Sequence, residues 1–112
     1  QAVNLRELNL RRNEISDLAP LHALEKLEKL NLADNKISDL SALNGAVLSS
    51  LRHLDLSINE IDDLSALHWD RLENLSHLDI RFNYIRLQDE ETADLLRNLE
   101  ARGVEILAEP MY

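Results

Sequence analysis

The sequence predicts an α/β solenoid in which short parallel strands alternate with short return segments. The first reason is repetition, because the phrase Leu-x-x-Leu-x-Leu-x-x-Asn-x-Ile occurs in four aligned copies, with Ile80 replacing the third Leu of the last. A fixed period of this kind is typical of repeat architectures. The second is composition, since 25 of the 112 residues are Leu and only 4% are aromatic. The copies begin at Leu5, Leu27, Leu51 and Leu75, and so lie 22, 24 and 24 residues apart.

The middle of each phrase alternates apolar and polar residues. In the first copy Leu8 and Leu10 should point to a core and Asn9 and Arg11 to solvent, as a strand with one buried face requires. Equivalent strands of successive copies should then stack in parallel. The sheet is therefore the part of the fold that the repeat predicts most directly.

The return segments carry Leu at about every third residue, as over residues 18–27. This spacing favours a 3₁₀-like path over a full α-helix. The two longer copies have room for more: residues 65–75 should form a true helical turn or two. Asn44-Gly45 should bend the equivalent segment of the other long copy.

One Asn recurs at the same place in every copy. There the chain leaves the strand, so backbone N–H and C=O groups face inward without sheet partners, and an amide offers two donors and an acceptor to satisfy them. Stacked copies can also bond their neighbours. A hydrophobic replacement would leave those groups unpaired, at about 1–3 kcal/mol each. The predicted asparagine ladder consists of Asn13, Asn35, Asn59 and Asn83.

On these phrases the chain resembles the leucine-rich repeat family in its short-repeat class, of about 22 residues. Its ISDLAPL and ISDLSAL segments are similar to those of bacterial internalins and of the phosphatase-regulatory repeat proteins. The resemblance covers about residues 2–87. It implies a curved right-handed leucine-rich repeat solenoid with a concave parallel β-sheet and short 3₁₀ or α convex arcs. It further implies a protein-binding scaffold that is not an enzyme and needs no cofactor.

The two ends of the sequence differ. We expect four repeats over residues 1–87 and a C-terminal cap over residues 88–112. In the cap, acidic residues open a helix at Asp89, Gly103 lies just past its end, and one more strand follows at 104–106. Such a cap covers the last hydrophobic face. The first repeat has no cover, which predicts a missing N-terminal cap or domain, or else a homotypic contact with a second copy on that edge.

Composition excludes several classes of partner. A formal charge of −9 and a pI near 4.8 disfavour nucleic acid and anionic membranes, which both need a basic surface. Without cysteine there is neither a disulfide framework nor a thiolate zinc site. No apolar run approaches the roughly 20 residues that span a bilayer. The compartment stays open, with the cytoplasm slightly favoured over secretion.

The residues that change between copies should carry the function. On a parallel stack the outward residues of successive strands form rows across the sheet, with strands about 4.8 Å apart. Another protein should bind across these rows on the concave face. The candidate partner-binding residues are Lys29, Asn31, His53, Asp55, Ser57, Ile58, His77, Asp79, Arg81 and Phe82.

Two groups of residues admit a second interpretation. An exposed Phe82 beside Arg81 has the composition of an interface hot spot, yet Ile58 and Phe82 could equally fold over the turn as partial core. Acids that recur after each Ile could form a calcium ladder, but Asp at a turn more often accepts backbone N–H bonds, which favours caps. These acids are Asp17, Asp39 and Asp63.

Two other functions are alternatives to the scaffold. One is a structural spacer or capping segment of a larger repeat protein. The other is a metal-dependent enzyme, because two His and two Asp on adjacent strands include the ligand types of a zinc or iron site. A solvated polar face is the simpler interpretation of the same residues. They are His53, His77, Asp55 and Asp79.

Overall fold

The computed structural model describes residues 5–18, 21, 24–45 and 48–108. Five three-residue strands form one parallel sheet in chain order: β1 Glu7–Asn9, β2 Lys29–Asn31, β3 His53–Asp55, β4 His77–Asp79 and β5 Glu105–Leu107. The register joins equivalent positions of successive repeats, aligning Leu8, Leu30, Leu54, Leu78 and Ile106. The predicted solenoid of parallel strands is therefore confirmed, with the last strand one residue later than expected.

The core lies between the sheet and the return segments. The central Leu of β2, β3 and β4 is buried, and the residues on either side of it are exposed or half-buried. This is the alternation that one buried face imposes on a strand. In the first repeat, at the β1 edge of the sheet, Leu5, Leu8 and Leu10 are only half-buried. A missing cap or a second copy on that edge stays a prediction.

The return segments follow the predicted 3₁₀-like path. The Leu21 N–H donates to the Leu18 carbonyl and the Leu24 N–H to the Leu21 carbonyl, both at 3.0 Å. Bonds three residues apart bring every third side chain to the same face, which turns the Leu residues to the core. The longer arcs contain 3₁₀ helices at Leu40–Gly45 and Trp69–Arg71.

The predicted bend at Asn44-Gly45 is wrong, because the 3₁₀ helix continues through both residues. The reason lies in the next repeat. The Asn44 amide donates to the Ala66 carbonyl and accepts the His68 N–H, both at 2.7 Å. This side chain therefore ties two arcs together and does not terminate its own.

The predicted helical turn over residues 65–75 is a single 3₁₀ turn. Trp69 is buried there, and its indole N–H donates to the Leu64 carbonyl at 2.7 Å. A buried indole needs such an acceptor. The Trp therefore packs as part of the core and fastens the arc from inside.

The acids of the return segments act as turn caps. Asp39 accepts the Ser41 N–H at 2.9 Å, and Asp63 accepts both the N–H and the hydroxyl of Ser65 at 2.9 and 2.6 Å. These hydrogen bonds lower the pKa of both carboxyls below the usual 3.8. The geometry fits the cap interpretation of the sequence pattern.

We expect Asp63→Ala to destabilise the protein at pH 7 and to have little effect near pH 2. The folded pKa of Asp63 is depressed, so its contribution is complete above 3.8 and is lost as the pH falls through the folded pKa. Urea unfolding of wild type and variant across this range measures the difference. Asp62→Ala, at an exposed neighbour, controls for the loss of one negative charge. A loss that does not change with pH would contradict a charged cap.

The C-terminal elements are a helix and a strand, as predicted. Helix α1, Glu90–Ala101, begins after Asp89, which accepts the Thr92 N–H, and is followed by Gly103 at φ +95°. Its Leu99 is buried against the repeats. The division into repeats to residue 87 and a cap from residue 88 stays a prediction. Along the described ranges, no helix is long and apolar enough to cross a membrane.

The residue that fastens α1 to the repeats is Arg102, just after the helix. Its guanidinium donates to the carbonyls of Trp69 at 3.2 Å and Leu72 at 2.6 Å. Both carbonyls belong to the last long arc. Two bonds from a charged donor therefore join the helix directly to the end of the solenoid.

Candidate functional site

The concave face of the sheet forms a groove of about 680 Å³ to which all five strands contribute. Its polar side chains stand in two rows that follow the strand register. We call the set formed by the first residue of each strand the first row: Glu7, Lys29, His53, His77 and Glu105. The set formed by the third residue is the second row: Asn9, Asn31, Asp55, Asp79 and Leu107.

The first row is ordered by charge and by ring stacking. The imidazoles of His53 and His77 stack with centroids 4.2 Å apart and planes 4° from parallel. Glu105 pairs with His77 at 3.0 Å, and Glu7 approaches Lys29 at 3.9 Å. The row thus has an acid at each end and bases between them.

His53 occupies the middle of the first row and is half-buried. Burial lowers the pKa of this imidazole, and electrostatic interactions with the basic side chains of His77, Lys29 and Arg52 lower it further. The depressed pKa keeps His53 neutral at pH 7.

The second row is built into the turns that follow the strands. The side-chain oxygens of Asn9, Asn31, Asp55 and Asp79 each accept the N–H of the residue two positions on, at 3.0–3.1 Å. Asp and Asn favour this local bond at turns. These four side chains are therefore held in place by their own turns.

Two second-row carboxylates have further partners. Asp79 receives a two-pronged contact from Arg81, at 3.0 and 2.7 Å, and Asp55 accepts the hydroxyl of Ser57 at 2.7 Å. Ser57 is buried, with its hydroxyl committed to Asp55. Its geometry is that of a structural hydroxyl.

The metal-centre alternative is wrong in its geometry. Within the described ranges, no three His, Asp or Glu side chains are arranged to hold a metal ion. The physical reason is that each acid is engaged elsewhere, Asp79 by Arg81 and Asp55 by the turn at Ser57. The two imidazoles stack on each other and do not converge on a common point.

Apolar side chains are exposed in the turns that follow the second row. Ile58 is 40% and Phe82 46% exposed, so they border the core and do not belong to it. Tyr84 and Leu107 are also exposed. We call Ile58 and Phe82, with the equivalent residues Arg12 and Asp34, the rim. Arg12 and Asp34 pair with each other at 3.0 Å.

All four rim residues adopt the left-handed backbone conformation, with φ between 56° and 64°. For an L-residue this costs about 1–2 kcal/mol, and a β-branched side chain is especially unusual there. Local preference therefore favours Gly or Asn, and does not explain Ile58 or Phe82. The turns therefore hold two exposed apolar side chains at a strained backbone position.

The asparagine ladder holds the rim in place from behind. The buried Asn59 accepts the Ile37 N–H at 3.0 Å and donates to three carbonyls, those of Leu32, Leu56 and Ser57. Asn35 and Asn83 are buried and bond in the same way. Asn13 is exposed, and among the described residues its side-chain amide donates only within its own turn, to the carbonyls of Leu10 and Arg11.

The structure brings together six of the ten candidate residues in the groove: Lys29, Asn31, His53, Asp55, His77 and Asp79. Arg81 and Ser57 support the second row, and Ile58 and Phe82 form half of the rim. The ten candidate residues leave out Glu7, Asn9, Glu105 and Leu107, which also line the groove. The repeat register places Glu7 and Asn9 in the same rows as Lys29 and Asn31. The two others depended on placing the last strand correctly.

Two models of leucine-rich repeats match the sequence, a two-copy model over residues 3–45 and a second over residues 25–85. A comparison with curated protein sequences finds no significant match. The models overlap and together follow the four phrases to the end of the last one. The second alone covers more than half of the chain.

Several solved structures are similar in fold. An internalin (inlF) from Listeria monocytogenes is 30% identical, with a TM-score of 0.71 over 95% of this chain and 28% of that one. Internalin C2 (inlC2) from the same species is 23% identical, with a TM-score of 0.70 over 92% and 41%. A leucine-rich repeat protein from Leptospira interrogans is 25% identical, with a TM-score of 0.58 over 88% and 30%.

The chain thus spans 28–41% of the length of these similar proteins. What it shares with them is the stack of short parallel strands. Because the four phrases lie in register on that stack and a family model matches more than half of the residues, this chain belongs to the leucine-rich repeat family.

Proposed function

We propose that the chain is a protein-binding module whose groove and rim together receive one partner protein. Leucine-rich repeat domains typically bind proteins, and the chain is similar to internalins in fold. The observation that carries the proposal is the exposure of Ile58 and Phe82 three residues past Asp55 and Asp79, which line a groove of about 680 Å³. An apolar anchor bordered by polar groups is the arrangement of an interface hot spot.

The mechanism is rigid display of prearranged side chains. Second-row oxygens are fixed by bonds to the turn backbone, and Arg81 is fixed by Asp79. Side chains that are already ordered lose little entropy on binding, so more of the contact energy appears as affinity. Phe82 supplies a large apolar area, while the two rows supply orientation.

Charge supports a protein as the partner. The net charge is −9, which opposes binding to phosphate backbones and to anionic lipid surfaces. The groove itself mixes acids, bases and amides. Mixed charge with apolar anchors at one side suits another protein's surface, where both kinds of group alternate.

We expect the double variant Ile58→Asn with Phe82→Ala to weaken partner binding by about 10- to 100-fold. Loss of a central anchor typically costs about 1–2 kcal/mol or more. Stability should change by less than about 1 kcal/mol for Ile58→Asn, because relief of the left-handed conformation offsets the partial burial that is lost. Immobilised wild-type protein captures partners for identification by mass spectrometry, and Kd is then compared between variants.

The matched control is Glu73→Ala, at an exposed residue of a return segment outside the groove. It should bind as the wild type does. Retention of every partner by the double variant, with the fold intact by circular dichroism, would sink the proposal. So would loss of binding in Glu73→Ala alone.

A structural spacer in a longer repeat protein is the second candidate. It is favoured by side chains that tie one repeat to the next, such as the Asn44 amide, which bonds the Ala66 carbonyl and the His68 N–H of the following arc. A spacer requires the residues that hold the repeats together, but it does not require the exposed residues that differ between repeats. Under this alternative the rim variant is silent, whereas Arg102→Ala, which frees α1 from the last arc, disrupts the protein that contains it.

A further inference from the structure

The middle of the first row holds bases in an acidic protein. The net charge of the protein is −9, yet the three inner residues of the first row are Lys29, His53 and His77. The acids of this row stand at its two ends. Glu7 approaches Lys29 at 3.9 Å, and Glu105 contacts His77 at 3.0 Å. Both acids therefore face a base other than His53.

The imidazole of His53 is placed to take a further ligand. It is half-buried, with one face stacked on His77 at 4.2 Å. Neither ring nitrogen makes a hydrogen bond to any residue that the structure describes. The ring nitrogens remain accessible to solvent, since no buried side-chain nitrogen or oxygen of the described residues lacks a hydrogen-bond partner. A ring N–H can therefore donate to an arriving anion.

The charged groups around His53 determine whether a ligand there should be an anion or a cation. Lys29 faces it from β2, His77 from β4, and Arg52 precedes it in the chain. Asp55 lies two residues on along β3, with a carboxylate oxygen that accepts two bonds from Ser57.

One more acid lies near this cluster. Glu28 accepts the Arg52 N–H through its carbonyl, but its carboxylate pairs with Arg6 at 2.7 Å. Burial and the three neighbouring basic groups all lower the pKa of His53. The Lys29 ammonium, in register with His53 on the neighbouring strand, would attract an anion and repel a cation.

We propose that His53 and Lys29 form a subsite for a carboxylate side chain of the partner protein, an Asp or Glu, and that docking draws a proton from solvent onto His53. The inference rests on the proposed function, since it takes the groove as the partner-binding surface. The partner carboxylate stays ionised. It accepts hydrogen bonds from the newly protonated ring nitrogen and from the Lys29 ammonium.

Binding of the carboxylate should therefore tighten as the pH falls from 7.5 to 5.5. The free imidazole is neutral at the upper end because its pKa is depressed, and the docked anion raises that pKa. Proton uptake on binding changes affinity by at most about tenfold per pH unit. A ligand cation would reverse the sign, because protonation of His53 would expel it.

The test uses the whole chain with labelled histidines and two short probes. An acetylated tetraglutamate peptide is titrated at pH 5.5, 6.5 and 7.5 at constant ionic strength, and tetralysine is titrated in parallel. We expect tetraglutamate to shift the His53 ring resonances and to raise its pKa by roughly 0.5 or more. Its affinity should be roughly threefold or more higher at pH 5.5 than at pH 7.5.

Two variants separate this subsite from general attraction. His53→Gln keeps a hydrogen-bonding side chain without the titration, so its weaker binding should not change with pH. His68→Gln, at an exposed histidine outside the groove, should behave as the wild type. An unmoved His53 resonance, or tighter binding of tetralysine there, overturns the inference.

The outcome is distinguishable from failure of the proposed function. The rim variant tests partner capture without any change at His53. A partner that is lost with the rim, but binds wild type and His53→Gln equally at every pH, overturns the carboxylate subsite alone. If neither the rim variant nor His53→Gln loses the partner, both the proposed function and the carboxylate subsite are overturned.

Discussion

Replacement of Asn59 by Leu is expected to lower the free energy of unfolding by about 3 kcal/mol. The Ile37 N–H has Asn59 as its acceptor and would be left unpaired in the core, at about 1–3 kcal/mol. Three further bonds, to carbonyls, are lost at about 0.5–1.5 kcal/mol each. Each of those carbonyls keeps another partner, as Leu56 does with Asn83. Burial of the new Leu side chain offsets part of the loss.

Guanidinium unfolding at pH 7 measures this loss, with Asn13→Leu as the matched control. Asn13 is exposed, and its side-chain amide donates within its own turn. Water can replace the side-chain amide as the donor to those carbonyls. The control should cost less than about 1 kcal/mol. Equal losses at the two positions would show that burial of the ladder is not what makes it stabilising.

Leu54→Ala is expected to cost a similar amount, about 3 kcal/mol, for a different reason. Leu54 is 2% exposed at the centre of the sheet, with Leu30 and Leu78 beside it in register. Truncation removes buried methyl groups and leaves a cavity that flanking strands cannot close. In a solenoid each repeat contacts only its neighbours, so damage at the middle also uncouples the two halves.

The same unfolding experiment reports both effects, the second as a lower m-value. Leu8→Ala is the control, because Leu8 is half-buried and in the described structure pairs with one strand only. It should cost about 1 kcal/mol and leave the m-value unchanged. A larger loss at Leu8 than at Leu54 would contradict a core centred on the middle repeats.

The strands, their register and the ladder could all be predicted because each follows from a residue that recurs with the period. Leu54 alternates with polar neighbours, and Asn59 follows at a fixed distance. The reasons are local: one buried face for the Leu, and unpaired turn groups for the Asn. The same logic predicted the 3₁₀ arcs and the helix with its Gly103 ending.

The left-handed backbone conformation of the rim could not be predicted, because it belongs to the turn and not to the side chain. Arg12, Asp34, Ile58 and Phe82 share no chemistry, yet all adopt positive φ. Asn44 shows the opposite failure. Asn-Gly is a strong local bend signal, but acceptor and donor groups 22 and 24 residues away recruited its amide.

Within the groove, register alone placed His53 beside His77, so their proximity was predictable. Their stacking was not, since it depends on side-chain torsions and on the charges at each end of the row. Nor was the bond between Asp79 and Arg81, which takes this carboxylate from any metal. The order of residues in each row follows from the backbone register. The contacts between side chains within a row depend on their rotamers.

The asparagine ladder gives the solenoid a direction. Asn59 serves Leu32 and Ile37 in the repeat before its own, and Asn83 serves Leu56 and Ile61 in the same way. Each turn thus depends on the amide that follows it. Fraying from the C-terminal side would strip successive turns of their acceptor and spread, while fraying from the other side would leave the remaining amides in place. Arg102 therefore stabilises the C-terminal end, from which local unfolding would spread along the solenoid.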